Sequence, residues 1–162
     1  MATIPDGVDV KLTGSTLEAS GPKGKGSRTF SMRGVKISMD GKEIKVEGPM
    51  MMANTVEAHI RNILKGCKEG YSRKLKIIYA HFPIAIEIKG REMMIKNFIG
   101  EKQPRRAKIC GDVKVESKGT EMTVTGASIE DVGQTIANIR TATKIKKRDS
   151  RIFQDGIYPV EG

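Results

Sequence analysis

Hydrophobic and polar residues alternate with period two over short stretches of the chain. In the first half these are Val8-Asp9-Val10-Lys11, Val35-Lys36-Ile37 and Ile44-Lys45-Val46-Glu47; in the second they are Ile86-Glu87-Ile88-Lys89, Val113-Lys114-Val115 and Met122-Thr123-Val124. Period two sends successive side chains to opposite faces, so each stretch predicts a half-buried β-strand. Asp40-Gly41 and Lys118-Gly119 lie between neighbouring stretches, where a tight hairpin turn wants glycine. The spacing then lengthens to that of a helix. Val56, Ile60, Ile63 and Leu64, and later Val132, Ile136 and Ile139, recur at three- and four-residue intervals and predict one helix at the end of each half. Asn54, with Glu57 three residues on, and Ser128, with Asp131, read as the N-caps of those helices.

The two series are one pattern used twice. Shifting the chain by about 78 residues lays Ile4-Pro5 on Phe82-Pro83, residues 8–11 on 86–89, residues 35–37 on 113–115 and residues 40–48 on 118–126. A shift of 76 then aligns Val56, Ile60, Asn62 and Ile63 with Val132, Ile136, Asn138 and Ile139. An internal repeat of this kind predicts duplicated units. The expected fold is α+β, with two tandem domains at 1–78 and 79–162, each a small antiparallel sheet packed against one helix. The run Leu75 to Ala80 between the halves is strand-like, so a boundary near residues 70–82 joins the domains rigidly.

Composition then narrows the function. The chain has 162 residues, enough for one ordinary domain or two small ones. Lys and Arg outnumber Asp and Glu by 29 to 19, for a formal net charge of +10, and such an excess concentrates polyanions around a protein. Nucleic acid is the natural partner. A membrane is the weaker choice, because no apolar run approaches the roughly 20 residues needed to span one, and the N-terminus lacks a basic-then-apolar signal segment. Cys67 and Cys110 have no motif spacing, which fits a reducing cytosol with both thiols inert.

Candidate chemistry is sparse. In Gly21-Pro22-Lys23-Gly24-Lys25-Gly26-Ser27-Arg28, a phosphate loop would need Lys then Ser or Thr after its last Gly, and Ser27 occupies the Lys position. The segment reads instead as an exposed loop whose Lys23, Lys25 and Arg28 lie against a phosphate backbone, or as a merely solvated loop. His59, in the first predicted helix, and His81, at the junction, supply too few donors for a metal site. The carboxylates mostly alternate with Lys along strands and form no acid/base pair. Met50-Met51-Met52 and Met93-Met94 read as core filler or as part of the junction before the helix. No catalytic residue, metal or cofactor is expected, and the chain is read as no enzyme.

The basic clusters differ in kind. Lys102, Arg105, Arg106 and Lys108 crowd a segment broken by Pro104; Lys144, Lys146, Lys147, Arg148 and Arg151 crowd the end of the second predicted helix. Cations favour a helix C-terminus in any case, but five in eight residues exceed what a cap requires. Phe153 and Tyr158 follow, either as stacking faces for bases or as pins for the tail. With aromatics at 4% overall, recognition by shape and phosphate pattern is expected rather than an extensive stacking platform. Two other readings stay open on the residues alone: a nucleic-acid binding module of a chromatin or messenger RNA protein, and a small enzyme using the glycine segment for a phosphorylated substrate.

Three stretches, Gly21-Pro22-Lys23-Gly24, Tyr79-Ala80-His81-Phe82-Pro83-Ile84 and Arg148-Asp149-Ser150-Arg151-Ile152-Phe153-Gln154-Asp155-Gly156-Ile157-Tyr158, resemble the large-subunit ribosomal protein L six family in its archaeal and eukaryotic form. The resemblance covers essentially the whole chain. It implies a duplicated sheet-plus-helix architecture and a structural role in the cytoplasmic ribosome. It implies large-subunit rRNA near the sarcin–ricin loop as partner, with neighbouring large-subunit ribosomal proteins beside it and translational GTPases docking nearby. It carries Arg148, Arg151, Phe153, Asp155, Gly156 and Tyr158 over at the signature positions of the C-terminal domain and its tail, with an Asp155-Gly156 turn orienting the tail and placing Tyr158. The sequence departs from the family at Pro159, where an aliphatic residue is usual. It reaches Gly162 without the longer basic tail of many relatives, so no contact of that tail is carried over.

Overall fold

Residues 2–31 and 34–160 are described by a computed structural model, and Gly162 lies outside them. The alternating stretches are strands: β1 (Ala2–Thr3), β2 (Asp9–Thr13), β3 (Thr16–Gly21), β4 (Gly24–Thr29), β5 (Lys36–Asp40) and β6 (Glu43–Glu47), followed by the helix α1 (Met50–Lys68). The order then recurs as β7 (Tyr71–Ile78), β8 (Ala85–Lys89), β9 (Glu92–Lys96), β10 (Arg105–Lys108), β11 (Lys114–Lys118), β12 (Glu121–Gly126) and the helix α2 (Ile129–Ala142). A further strand, β13 (Gly156–Pro159), has no counterpart among the described residues of the first series.

The predicted α+β class holds, with a refinement. Each series builds two small antiparallel sheets, not one: β2-β3-β4 and β1-β6-β5 in the first, β8-β9-β10 and β11-β12-β7-β13 in the second. The chain divides into two compact units, Met1–Tyr71 with Gly126–Ile129, and Ser72–Thr125 with Glu130–Gly162. In the hairpin β5–β6, Asp40 pairs with Glu43 across Gly41 and Lys42, and in β11–β12 Lys118 pairs with Glu121 across Gly119 and Thr120. Gly41 and Gly119 have φ of +61° and +60°. That left-handed backbone is why glycine stands there.

In the first unit α1 packs on both sheets, and Val56, Ile60, Leu64 and Cys67 bury their side chains against Val8, Leu17, Ala19, Phe30 and Ile44. The helix begins at Met50 after Pro49, so Asn54 and Glu57 lie inside it and Asn54 is no N-cap. Methionine is a good helix former and proline presets the entering φ, so the helix starts a turn earlier than the polar signal indicated. The three methionines are therefore helical, and Met50 and Met51 are exposed. The second cap position is as expected, with α2 starting directly after Ser128 and carrying Glu130 and Asp131 in its first turn.

In the second unit Leu75, Ile77, Met93, Ile95, Met122, Val124 and Ile157 from the strands and Val132 and Ile139 from α2 are buried. Two polar side chains of α2 fasten it to the chain after β9. The Thr135 hydroxyl accepts the Cys110 amide at 3.0 Å, and the Asn138 side chain donates to the Lys108 carbonyl at 2.9 Å.

Candidate nucleic-acid interface

The glycine-rich segment is a β-hairpin, not a loop: β3 and β4 pair from Thr16–Thr29 to Gly21–Gly24. Its glycines answer to packing. A Cβ at Gly21 would stand 2.5 Å from the Cys67 carbonyl oxygen of α1, and one at Gly26 would stand 3.0 Å from Ile63 Cγ2. Helix and hairpin approach too closely for side chains there. Lys23 and Lys25 project from the hairpin tip and are exposed. Arg28 turns inward, with Nη1 donating to His59 Nδ1 at 3.2 Å and the guanidinium 5.9 Å from the Phe30 ring. His59, half-buried on α1, is thereby paired with Arg28 of β4.

The second unit brings the other cations together. Arg106 and Lys108 are exposed on β10, Lys102 is exposed in the preceding loop, and between them Arg105 points inward. Its Nε and Nη2 donate to Glu101 at 2.8 and 2.6 Å, and Nη1 donates to the carbonyls of Ala142 and Lys144, both at 2.9 Å. The guanidinium also lies 4.3 Å from the Phe98 ring centroid. The Arg105 fork beside Glu101 holds that carboxyl below its usual value of 4.5. Through Lys144 this side chain ties the cluster of residues 102–108 to that of residues 144–151.

The latter cluster does not sit on the helix end. α2 stops at Ala142, and residues 143–155 carry neither helix nor strand. Thr143 closes the helix, its buried hydroxyl donating to the Ile139 carbonyl at 3.0 Å. A residue that bonds its own backbone in this way suits a helix terminus. Lys144, Lys146, Lys147, Arg148 and Arg151 are then all exposed, and Lys147 takes a left-handed φ of 60°. Arg148 lies 4.9 Å from the Phe153 ring centroid. Arg151 donates from Nε and Nη2 to Asp149, both at 3.1 Å, and with its own amide it holds the Asp149 carboxyl below the usual value of 3.8.

The tail returns as an edge strand. β13 pairs antiparallel with β7, placing Gly156 opposite Ile78, Ile157 opposite Ile77 and Tyr158 opposite Lys76. Asp155 and Gly156 are buried and Gly156 is already strand, so the expected Asp155-Gly156 turn is absent. Chain reversal happens earlier, where the Phe153 amide donates to the Asp149 carbonyl at 2.9 Å. The Tyr158 ring folds over Gly156, where a Cβ would stand 3.1 Å from it, and its hydroxyl donates to the Gln154 carbonyl at 3.2 Å. Reading the sequence missed Phe98 and Glu101 beneath Arg105, although Glu101 and Arg105 are spaced four apart. It also missed Lys76 beside Tyr158, whose signal is the alternation Lys74-Leu75-Lys76-Ile77.

Among the described residues no three His, Cys, Asp or Glu side chains are grouped to hold a metal, and no described helix is long and apolar enough to cross a membrane. Residues 82–156 match the family model described as ribosomal protein L6. The chain is 46% identical to the large ribosomal subunit protein uL6 of Methanosarcina mazei, over 98% of this chain and 93% of that protein. It is 45% identical to that of Methanosphaera stadtmanae, over 98% and 90%, and 44% identical to that of Archaeoglobus fulgidus, over 98% and 86%. Likeness of this extent, with the duplicated sheet-and-helix architecture, makes the chain a member of the large ribosomal subunit protein uL6 family.

Proposed function

We propose that this chain, as a structural and non-enzymatic constituent of the large ribosomal subunit, binds large-subunit rRNA near the sarcin–ricin loop. The observation that carries the reading is the set of five exposed cations at Lys144, Lys146, Lys147, Arg148 and Arg151, on a segment free of regular structure and joined to Arg106 and Lys108 through Arg105. Cations in such a segment replace condensed counterions along folded RNA without forming or breaking a bond. Lys102 lies beside them in sequence, and Lys23 and Lys25 of the first unit supply further phosphate contacts. Arg28 is turned toward His59 and contributes less. Phe153 braces Arg148, while Tyr158, partly exposed on β13 beside Lys76, offers one face to the RNA. Asp155 and Gly156 set the entry to β13. Partners in this reading are the rRNA, neighbouring large-subunit proteins and the translational GTPases that dock nearby, all in the cytoplasm.

The test is binding of the purified protein to a large-subunit RNA fragment containing the sarcin–ricin stem-loop, across a salt series, against an unrelated RNA of equal length. The five contacts of residues 144–151 alone correspond to a slope of log K on log salt of about −3.5 to −4.5, and the further cations steepen it. Competitor-resistant binding with such a slope is expected. Equal binding to both RNAs would reduce the chain to a generic polyanion binder and overturn the assignment.

A further inference from the structure

We infer that Arg105 is a positioning residue for the basic segment and not itself a phosphate contact: it holds the carbonyls of Ala142 and Lys144 and so fixes the course of the chain where it leaves α2. The inference rests on the proposed RNA-binding reading for its functional consequence, though its geometry stands alone.

A guanidinium has five N–H groups, and Arg105 directs four hydrogen bonds into the protein, two to Glu101 and two to backbone carbonyls. An incoming phosphate would have to displace a carboxylate already met in a bidentate fork. The Arg105 side chain is only 23% exposed, unlike its neighbours Arg106 and Lys108.

The support beneath it is built for the purpose. Phe98, 1% exposed, carries the guanidinium on its face. It is flanked by Asn97 and Ile99, both with left-handed φ, at 58° and 52°. Such a backbone is costly for a β-branched residue and persists where surrounding contacts over-determine it. The Asn97 side chain donates to the Pro83 carbonyl at 3.1 Å and holds this turn in place.

The consequence falls on the cations that follow. Ala142 ends α2, so its carbonyl has no partner within the helix, and a guanidinium there both satisfies it and complements the helix dipole. The carbonyl of Lys144 is held by the same nitrogen, so the first cation of the segment is fixed at the backbone while its side chain stays exposed. Arg148 is braced on Phe153 and also lies near enough to Glu101 to depress its titration. Glu101 thus serves the interface although it carries the charge of the RNA.

That sign makes the inference testable with the full-length chain, using Glu101→Gln and Arg105→Lys, which both keep side-chain volume. Without RNA, amide hydrogen exchange over residues 143–155 is expected to rise by about tenfold in both variants while β7 keeps its protection. Wild-type exchange across that segment in both would overturn the clamp. On the sarcin–ricin fragment, removing an acid should tighten binding if charge alone matters, whereas the clamp predicts that Glu101→Gln binds about threefold or more weakly and Arg105→Lys, with its charge kept, likewise. Tighter binding by Glu101→Gln with wild-type binding by Arg105→Lys would also overturn it. If the wild-type protein does not bind the fragment, the RNA reading fails while the exchange measurement still decides the clamp.

Discussion

Three arginines that look alike in the sequence have different fates at the scale of single residues. Arg106 faces solvent, Arg105 is spent on carbonyls and Glu101, and Arg28 is turned onto His59. Burial and donor satisfaction separate them, and neither is visible in a count of charges. The Glu101–Arg105 pair also has a pH signature. Glu101 titrates below its ordinary 4.5 in the folded chain, so the stability it contributes is fully present above that value and is lost as pH falls through the depressed one. The wild type should therefore be more stable than Glu101→Gln at neutral pH, with the difference closing as the pH falls below 4.5 and through the depressed value; urea midpoints of both proteins from neutral pH into the acid range check this. A difference that persists unchanged once the carboxyl is protonated would show that its charge is not what Arg105 recognises.

Secondary-structure elements were legible where periodicity was clean. Each run of alternation became a strand, and the glycines at residues 41 and 119 became the turns between them. Legibility failed where distant contacts decide. The glycines of residues 21–26 mimic a loop locally, but they belong to a hairpin, and Gly21 and Gly26 are required by α1, some 40 residues away. The anchoring of residues 143–155 depends on Arg105, 37 and 39 residues from the carbonyls it holds. Gly66 makes the packing argument testable. A Cβ there would overlap the Ala127 carbonyl oxygen and approach the Tyr71 ring to 2.9 Å, so Gly66→Ala should destabilise the protein by at least about 1–3 kcal/mol in chemical denaturation, despite alanine's better helix propensity. Stabilisation instead would mean that the segment 126–129 yields easily. In β13, Ile157 is 1% exposed, and Ile157→Ala should cost about 2–5 kcal/mol in the same assay.

For the molecule as a whole, charge and repeat together carried the reading. The duplicated units follow from one pattern used twice, but the cationic content is unequal: eighteen of the 29 Lys and Arg residues lie in 72–162, and β13 and the segment leading to it have no counterpart among the described residues of the first series. In the proposed function, residues 144–151 anchor the chain to the large subunit. The most direct test of this is incorporation of the triple variant Lys144→Glu, Lys146→Glu, Lys147→Glu into large subunits, followed by sucrose-gradient sedimentation beside the wild type. All three positions are exposed, so the variant should fold with wild-type stability yet remain at the top of the gradient. Co-sedimentation of the folded triple variant at the wild-type level would contradict the claim that residues 144–151 anchor the chain.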